Sequence, residues 1–466
     1  MIRSRSLALA LAVASALVVG AAPPRATPFP SRVADDHRTL LDPTGRPFFY
    51  LGDTAWELFH RLDDAEAEVY LRDRASKGFN VIQAVVLAEY GGLTQPDRGG
   101  HLPLVGNDPT KPIEAYFAHV DKVVALADSL GLVVGMLPTW GDKWNTKWGQ
   151  GPEIFTPANA EAYGEFLANR YRDRPIVWIL GGDRSAETDA HRAIIRAMAA
   201  GLAKGDGGRH LITFHPMGGR SSSEHFQADP WLAFDMIQSG HDYNTDNGAR
   251  ILADLGKLPA KPCLDGEPGY EDHPAGFKAA NGYLDDHDAR KAAYWALLAG
   301  AAGHTYGCHD IWQFLSPGNP AVTSARTPWT AAIHLPGAGQ MKHARALIES
   351  RPMLGRAAFP ELLASPVGSG GDRLAALRGA DSSFALVYSP AGKPFAIDPS
   401  RLPAAKLVAT WYDPRDGSTR PAGTVDRESR RFEFRPPSAG KGRDWVLVID
   451  DEARAFPPPG RAASGR

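Results

Sequence analysis

Ile176-Val-Trp-Ile-Leu-Gly-Gly-Asp183 is an unbroken apolar run that stops on two glycines and a carboxylate. A run without polar alternation is what a parallel strand buried on both faces requires. The glycines then let the backbone turn sharply, so the acid is presented at the strand's carboxyl end. A second segment, Lys261-Pro-Cys-Leu-Asp-Gly-Glu-Pro268, repeats the design and also ends on Gly-acid. Strand ends of this kind are where α/β barrels hold their chemistry.

Strand-like and helix-like segments alternate on either side of these two. Residues 48–51 run into Gly52-Asp53-Thr54-Ala55-Trp56, and residues 64–77 read as a helix with an acidic first turn and Gly78 as its stop. Further strands are expected at 80–87, 132–137, 210–215, 234–241 and 303–309, with helices at 113–130, 159–171, 186–203, 249–255 and 289–301. Eight strands alternating with helices predict a closed (β/α)8 TIM barrel. A doubly wound open sheet is the competitor, but no G-x-G-x-x-G opens a helix after the first strand.

After Pro352 the texture changes to short alternating runs at 375–378, 383–388, 406–412, 431–434 and 445–449, separated by Gly, Pro, Asp and Ser. That spacing predicts a small antiparallel β-sandwich. The division read from the sequence is therefore a barrel over 35–350, a sandwich over 351–452 and a loose tail over 453–466. A turn at Asp42-Pro-Thr-Gly45 predicts a hairpin before the barrel, preceded by a Pro-rich unstructured lead-in over 23–34.

Composition narrows the partners. Of the 466 residues, 43% are hydrophobic and 22% charged, ordinary values for a globular chain. Residues 1–22 combine a basic start (Arg3, Arg5), an apolar middle and a Gly20-Ala-Ala22 end, the pattern of a signal peptide. Its removal takes two positive charges and moves the formal net charge from −2 to −4. Nucleic acid and acidic membrane surfaces are disfavoured by that balance. The expectation is a secreted or periplasmic monomer. Cys263 and Cys308 read as buried thiols, with a disulfide as the alternative in an oxidising compartment.

Hydrolysis of a glycosidic bond needs one carboxylic acid to protonate the leaving oxygen and one carboxylate to attack the anomeric carbon. The fourth and seventh strands stand on opposing sides of an eight-stranded barrel, so their terminal acids face each other across its mouth. The reading assigns Asp183 as acid/base and Glu267 as nucleophile. Retention of configuration follows if the carboxyls lie about 5 Å apart. The plainer alternative for either acid alone is a helix cap or an ion pair.

Asp53 and Trp56 are expected to hold sugar hydroxyls at the pocket floor. Asp265, two residues before Glu267, should share its face as a buried hydrogen-bonding partner. Tyr90, Trp140, Trp144, Trp148, Tyr243, Tyr306 and Trp312 fall at or after strand ends, where aromatic faces could pack on sugar rings. Of these, Tyr90, Trp140, Tyr243 and Trp312 are assigned to substrate, together with His215 and His241. No metal-ligand spacing or cofactor motif accompanies them.

Leu51-Gly-Asp-Thr-Ala-Trp-Glu57, Gly78-Phe-Asn-Val-Ile82, Trp178-Ile-Leu-Gly-Gly-Asp183 and Gly266-Glu-Pro268 resemble the DUF4038, apiosidase-like glycoside hydrolases, relatives of the large clan of (β/α)8 retaining hydrolases. The resemblance spans roughly residues 35–350. The C-terminal part is similar to a domain often attached to them and labelled collagen-binding. It implies acid/base at Asp183 and nucleophile at Glu267. Where the wider clan ends its fourth strand on Asn-Glu, this chain has Gly-Asp. A carbohydrate substrate is implied. A non-catalytic carbohydrate-binding or matrix-adhesion protein is the rival reading.

Overall fold

The computed structural model describes residues 27–461, so the expected signal peptide lies outside the described residues. Eight parallel strands form the barrel: β1 (Tyr50–Thr54), β2 (Val81–Leu87), β3 (Val133–Thr139), β4 (Ile176–Gly181), β5 (Ile212–His215), β6 (Asp235–Ile237), β7 (Cys263–Asp265) and β8 (Gly303–Tyr306). Their order is β5-β4-β3-β2-β1-β8-β7-β6. Closure between β5 and β6 is made just outside the short sixth strand. There the Ala233 N–H donates to Ile212 O at 2.9 Å, and Thr213 Oγ1 donates to Phe234 O at 2.7 Å.

The apolar run that opens the sequence reading divides by parity. Val177 and Ile179 enter the barrel interior with Val81, Val85 and Phe234, while Ile176, Trp178 and Leu180 face the helices. Trp178 is fully buried and satisfies its indole N–H on Asp206 Oδ2 at 3.1 Å. Burial of each such side chain contributes roughly 1.5–3 kcal/mol.

The outer helices are α1 (Asp64–Ser76), α2 (Glu114–Ser129), α3 (Pro157–Tyr171), α4 (Asp189–Asp206), α5 (Asn247–Leu255), α6 (Asp286–Leu298) and α7 (Pro336–Glu349). Asp63 and Glu66 close a capping box on α1, and Thr156 with Asn159 does the same for α3. Such caps contribute about 1 kcal/mol each. The helix after β5 shrinks to the single turn Ser223–Phe226. α7 has no counterpart in the sequence reading because Pro336, Gly337 and Gly339 open it. Pro336 nevertheless suits a first helical position.

Before the barrel, Leu40–Leu41 pairs with Pro47–Phe48 around the expected turn, whose Gly45 N–H donates to Asp42 O at 2.9 Å. The lead-in is not wholly unstructured. Arg32–Val33 adds a third strand to this hairpin.

The C-terminal strands are β9 (Ala357–Ala358), β10 (Ala375–Arg378), β11 (Phe384–Ser389), β12 (Phe395–Ile397), β13 (Leu407–Tyr412), β14 (Thr419–Val425), β15 (Phe432–Phe434) and β16 (Trp445–Asp451). They form an antiparallel sheet of order β9-β10-β11-β16-β13-β14 and a separate β12-β15 pair. Trp411, Trp445, Phe395 and Phe434 fill the space between them. This domain is fastened to α6. Arg290 forks onto Asp444 at 2.9 and 3.2 Å, and the Tyr294 and Tyr388 rings stack at 5.0 Å. The expected loose tail is instead pinned as far as it is described. Arg351 donates to Pro457 O at 3.0 Å, and Phe456 meets Phe384 edge-on at 6.1 Å.

Both cysteines are buried free thiols. Among the described residues no helix is long and apolar enough to cross a membrane.

Candidate active site

At the end of β4 three successive residues have positive φ: Gly181 (94°), Gly182 (102°) and Asp183 (51°). A Cβ on Gly181 would lie 2.3 Å from His215 O, and one on Gly182 2.8 Å from Gly141 N, so both positions exclude side chains on space as well as torsion. Asp tolerates the left-handed region better than most residues. The turn places Asp183 at the barrel mouth, with its backbone N–H 3.3 Å from His215 Nδ1 and Oδ1 accepting from the Gly218 N–H at 3.3 Å. Arg184 Nη1 lies 3.2 Å from Oδ2.

At the end of β7, a Cβ on Gly266 would fall 2.4 Å from Met236 Sδ, so a side chain there would have to displace that buried methionine. Glu267 follows, almost wholly buried, with His241 Nε2 3.0 Å from Oε1 and His215 Nε2 3.0 Å from Oε2. The His215 contact lacks hydrogen-bond alignment, which leaves Oε2 free. Since His215 Nδ1 accepts from Asp183, a neutral ring carries its proton on Nε2, toward Glu267.

The two acids are driven to opposite protonation states. Burial pushes Asp183 up to about 6, reinforced by the nearby Glu267 charge and only partly opposed by Arg184 and His215. Burial also works against the Glu267 anion, but His215 and His241 outweigh it and bring the carboxyl down to about 2. Near pH 5 one carboxyl holds a proton and its neighbour does not.

Both line a cavity of about 650 Å³ at the carboxyl ends of the strands. Trp56 and Trp140 form part of its wall, their rings 5.2 Å apart and each packed on His215. Trp56 donates its indole N–H to Tyr270 OH at 3.0 Å. Tyr90 and Trp312 line the cavity together at 5.9 Å, and His241 also lines it. His215, expected at the substrate, is fully buried against Glu267 and does not line the cavity.

Several expectations need correction. Asp53 is nowhere near the cavity. It points outward from β1 and is buried against α1, where Arg74 Nε and Tyr70 OH both donate to Oδ2 at 2.5 Å. Gly52, not Asp53, has the inward parity. Tyr243 is part-exposed beside the cavity and donates to Tyr283 O at 3.2 Å, without lining it. Asp265 is a buried acceptor, bonded by Ser239 Oγ at 2.6 Å and Asn247 Nδ2 at 3.0 Å, but it faces α5. β7 ends at Asp265 and Gly266 turns the chain, so the two-residue parity with Glu267 is lost. Trp144 and Tyr306 are core residues, the latter bonded to Glu271.

The cavity also contains residues not assigned from sequence, among them Glu89, Gln238, Tyr270, His273 and Phe277. Glu89 lies two positions beyond the end of β2, so the strand-end rule would have found it. The others lie on loops with no periodic signal. Asp285, His287 and Asp288 bring possible metal-ligand atoms within 4.8 Å of one another at the start of α6, outside the cavity. Lys441 and Lys291 already pair with the two carboxylates.

A barrel with paired acids of unlike protonation at one aromatic-lined mouth has the equipment of glycoside hydrolysis, and the protein is a glycoside hydrolase. The chain belongs to the apiosidase-like family. Residues 34–355 match the family described as "Apiosidase-like, catalytic domain", and residues 360–450 match the "Putative collagen-binding domain of a collagenase". A solved structure named "Glycoside hydrolase" is 33% identical, with a TM-score of 0.84 over 91% of this chain and 97% of that one. A glycoside hydrolase family 5 protein from Bacteroides vulgatus is also 33% identical, with a TM-score of 0.85 over 93% and 96%. A structure from that organism described as "a putative glycoside hydrolase" shares the fold at 17% identity, with a TM-score of 0.65 over 91% of this chain and 82% of that one. No curated protein matches the chain at a significant level.

Proposed function

We propose that the protein is a retaining glycosidase acting on side chains of complex polysaccharides, with Asp183 as acid/base and Glu267 as nucleophile. The observation that carries this reading is the placement of Asp183 and Glu267, at the ends of β4 and β7, in the wall of one cavity shared with Trp56 and Trp140, with His215 and His241 each 3.0 Å from a Glu267 oxygen and Arg184 beside Asp183. Protonated Asp183 gives its proton to the leaving oxygen as Glu267 Oε2 attacks the anomeric carbon. His241 holds Oε1 and so orients the attacking oxygen. The resulting Asp183 carboxylate then takes a proton from water, which displaces Glu267 and restores both groups. Trp56 and Trp140 offer apolar faces to the sugar ring.

The test is the anomeric configuration of the first product, followed by proton NMR. Retention is expected; inversion would replace the covalent step by direct attack of water. The signal-peptide pattern of residues 1–22 supports action outside the cytoplasm. Recovery of the processed protein only from the cytoplasmic fraction would contradict that.

A further inference from the structure

The cavity wall on the Asp183 side has a built polar floor under an exposed aromatic ring. Arg184 is fully buried and forks between two acids, with Nη1 3.2 Å from Asp183 Oδ2 and Nη2 donating to Glu89 Oε1 at 2.9 Å. Its guanidinium lies over the Trp148 ring, 4.2 Å from the centroid. Trp148 is 59% exposed yet lines the cavity, so the ring is supported from below while presenting surface to the mouth. The loop that carries it rests directly on the ion pair. A Cβ at Gly149 would lie 2.6 Å from Arg184 Nη2 and 3.0 Å from Glu89 Oε1. Glu89 Oε2 takes no hydrogen bond among the described residues, and the side chain also lines the cavity.

These groups surround Asp183 rather than Glu267, whose neighbours are His215, His241 and Tyr270. We infer that Trp148 and Glu89, held in place by the buried Arg184, form the binding site for the sugar on the leaving side of the scissile bond. The substrate is then a glycan whose leaving group is itself a sugar, not a glycoside of a small aglycone. The inference rests on Asp183 being the proton donor, because the leaving group must lie on the donor's side. Trp148 packs on the apolar face of that sugar, and the open Glu89 oxygen accepts from one of its hydroxyls.

Two measurements test it. In the first, kcat/KM is compared for an oligosaccharide that the native protein cleaves and for the glycosyl fluoride of the sugar it releases. Fluoride needs no sugar site. The oligosaccharide-to-fluoride ratio is expected to fall about fivefold or more in Trp148→Ala and in Glu89→Gln. An unchanged ratio in folded Trp148→Ala would overturn the proposal. In the second, the Glu267→Gln protein is labelled with 5-fluorotryptophan and titrated with oligosaccharides from plant cell-wall polysaccharides. The Trp148 resonance, assigned by its loss in Trp148→Phe, is expected to move with those that bind. Binding detected by calorimetry without any movement of that resonance, or no binding by any oligosaccharide, would overturn it. Movement of the resonance without hydrolysis by the native chain would support the sugar site while refuting the catalytic reading.

Discussion

The backbone N–H of Asp183 points at His215 Nδ1, 3.3 Å away, and this contact leaves the proton of a neutral ring on Nε2, 3.0 Å from Glu267 Oε2. A single imidazole thus links the two strand ends. The link suggests how strongly the two acids depend on their surroundings.

Activity needs Asp183 protonated and Glu267 ionised, so kcat/KM should rise through about 2 and fall through about 6. The expected pH profile is a bell centred on the acid side of neutrality. An alkaline limb above pH 8 would show that Asp183 is not the group being titrated.

Replacing His241 by Ala removes the donor to Glu267 Oε1 and leaves burial to act on the carboxyl. The acidic limb should move upward by about one pH unit, with kcat down by about tenfold or more. The alkaline limb should shift far less. A profile that moves as a whole would rule out selective tuning of Glu267 by His241.

Asp183 should oppose stability at neutral pH. Its folded value is raised to about 6 from an ordinary 3.8. Below 3.8 the carboxyl is protonated in folded and unfolded chains alike, so it imposes no cost. Between those values the folded chain holds the proton more tightly, and stability falls as pH rises until the full cost is reached above about 6. Asp183→Asn, which also tolerates positive φ, should be more stable than the native chain at pH 7.5 by about 2 kcal/mol, with the difference gone near pH 3.5. Thermal melts at the two pH values check this; equal gains at both would contradict it.

Asp53→Asn should act on the fold alone. The buried Arg74 would lose the buried carboxylate at its Nε and keep only Asp73, which pairs with Nη1 at 2.7 Å, a loss of about 2–3 kcal/mol. Melting temperature should drop sharply while KM of the protein that remains folded stays the same. A raised KM at unchanged stability would return Asp53 to the substrate site.

The barrel is legible because buried parallel strands are written as unbroken apolar runs, and Gly181-Gly182 and Gly266 mark where two of them stop. Parity is less legible. The outward turn of Asp53 depends on β1 running from Tyr50 to Thr54, three residues beyond the Leu51 end that the apolar run suggests. Asp265 was misplaced because Gly266 breaks the alternation. β14 escapes pattern reading because it is an exposed edge strand holding Pro421 and Gly423, where the ladder also shifts register. Glu89 stood at a strand end but inside a long polar loop, and only the folded chain brings Arg184 and Trp148 to it.

The most direct measurement is release of reducing sugar from plant cell-wall polysaccharides by the native protein and by Glu267→Gln in parallel. The expected result is product from the native chain and a loss of at least a thousandfold, about 4 kcal/mol of transition-state stabilisation, in the variant. Equal release by the two would contradict the role given to Glu267 and, with it, the two-carboxylate mechanism.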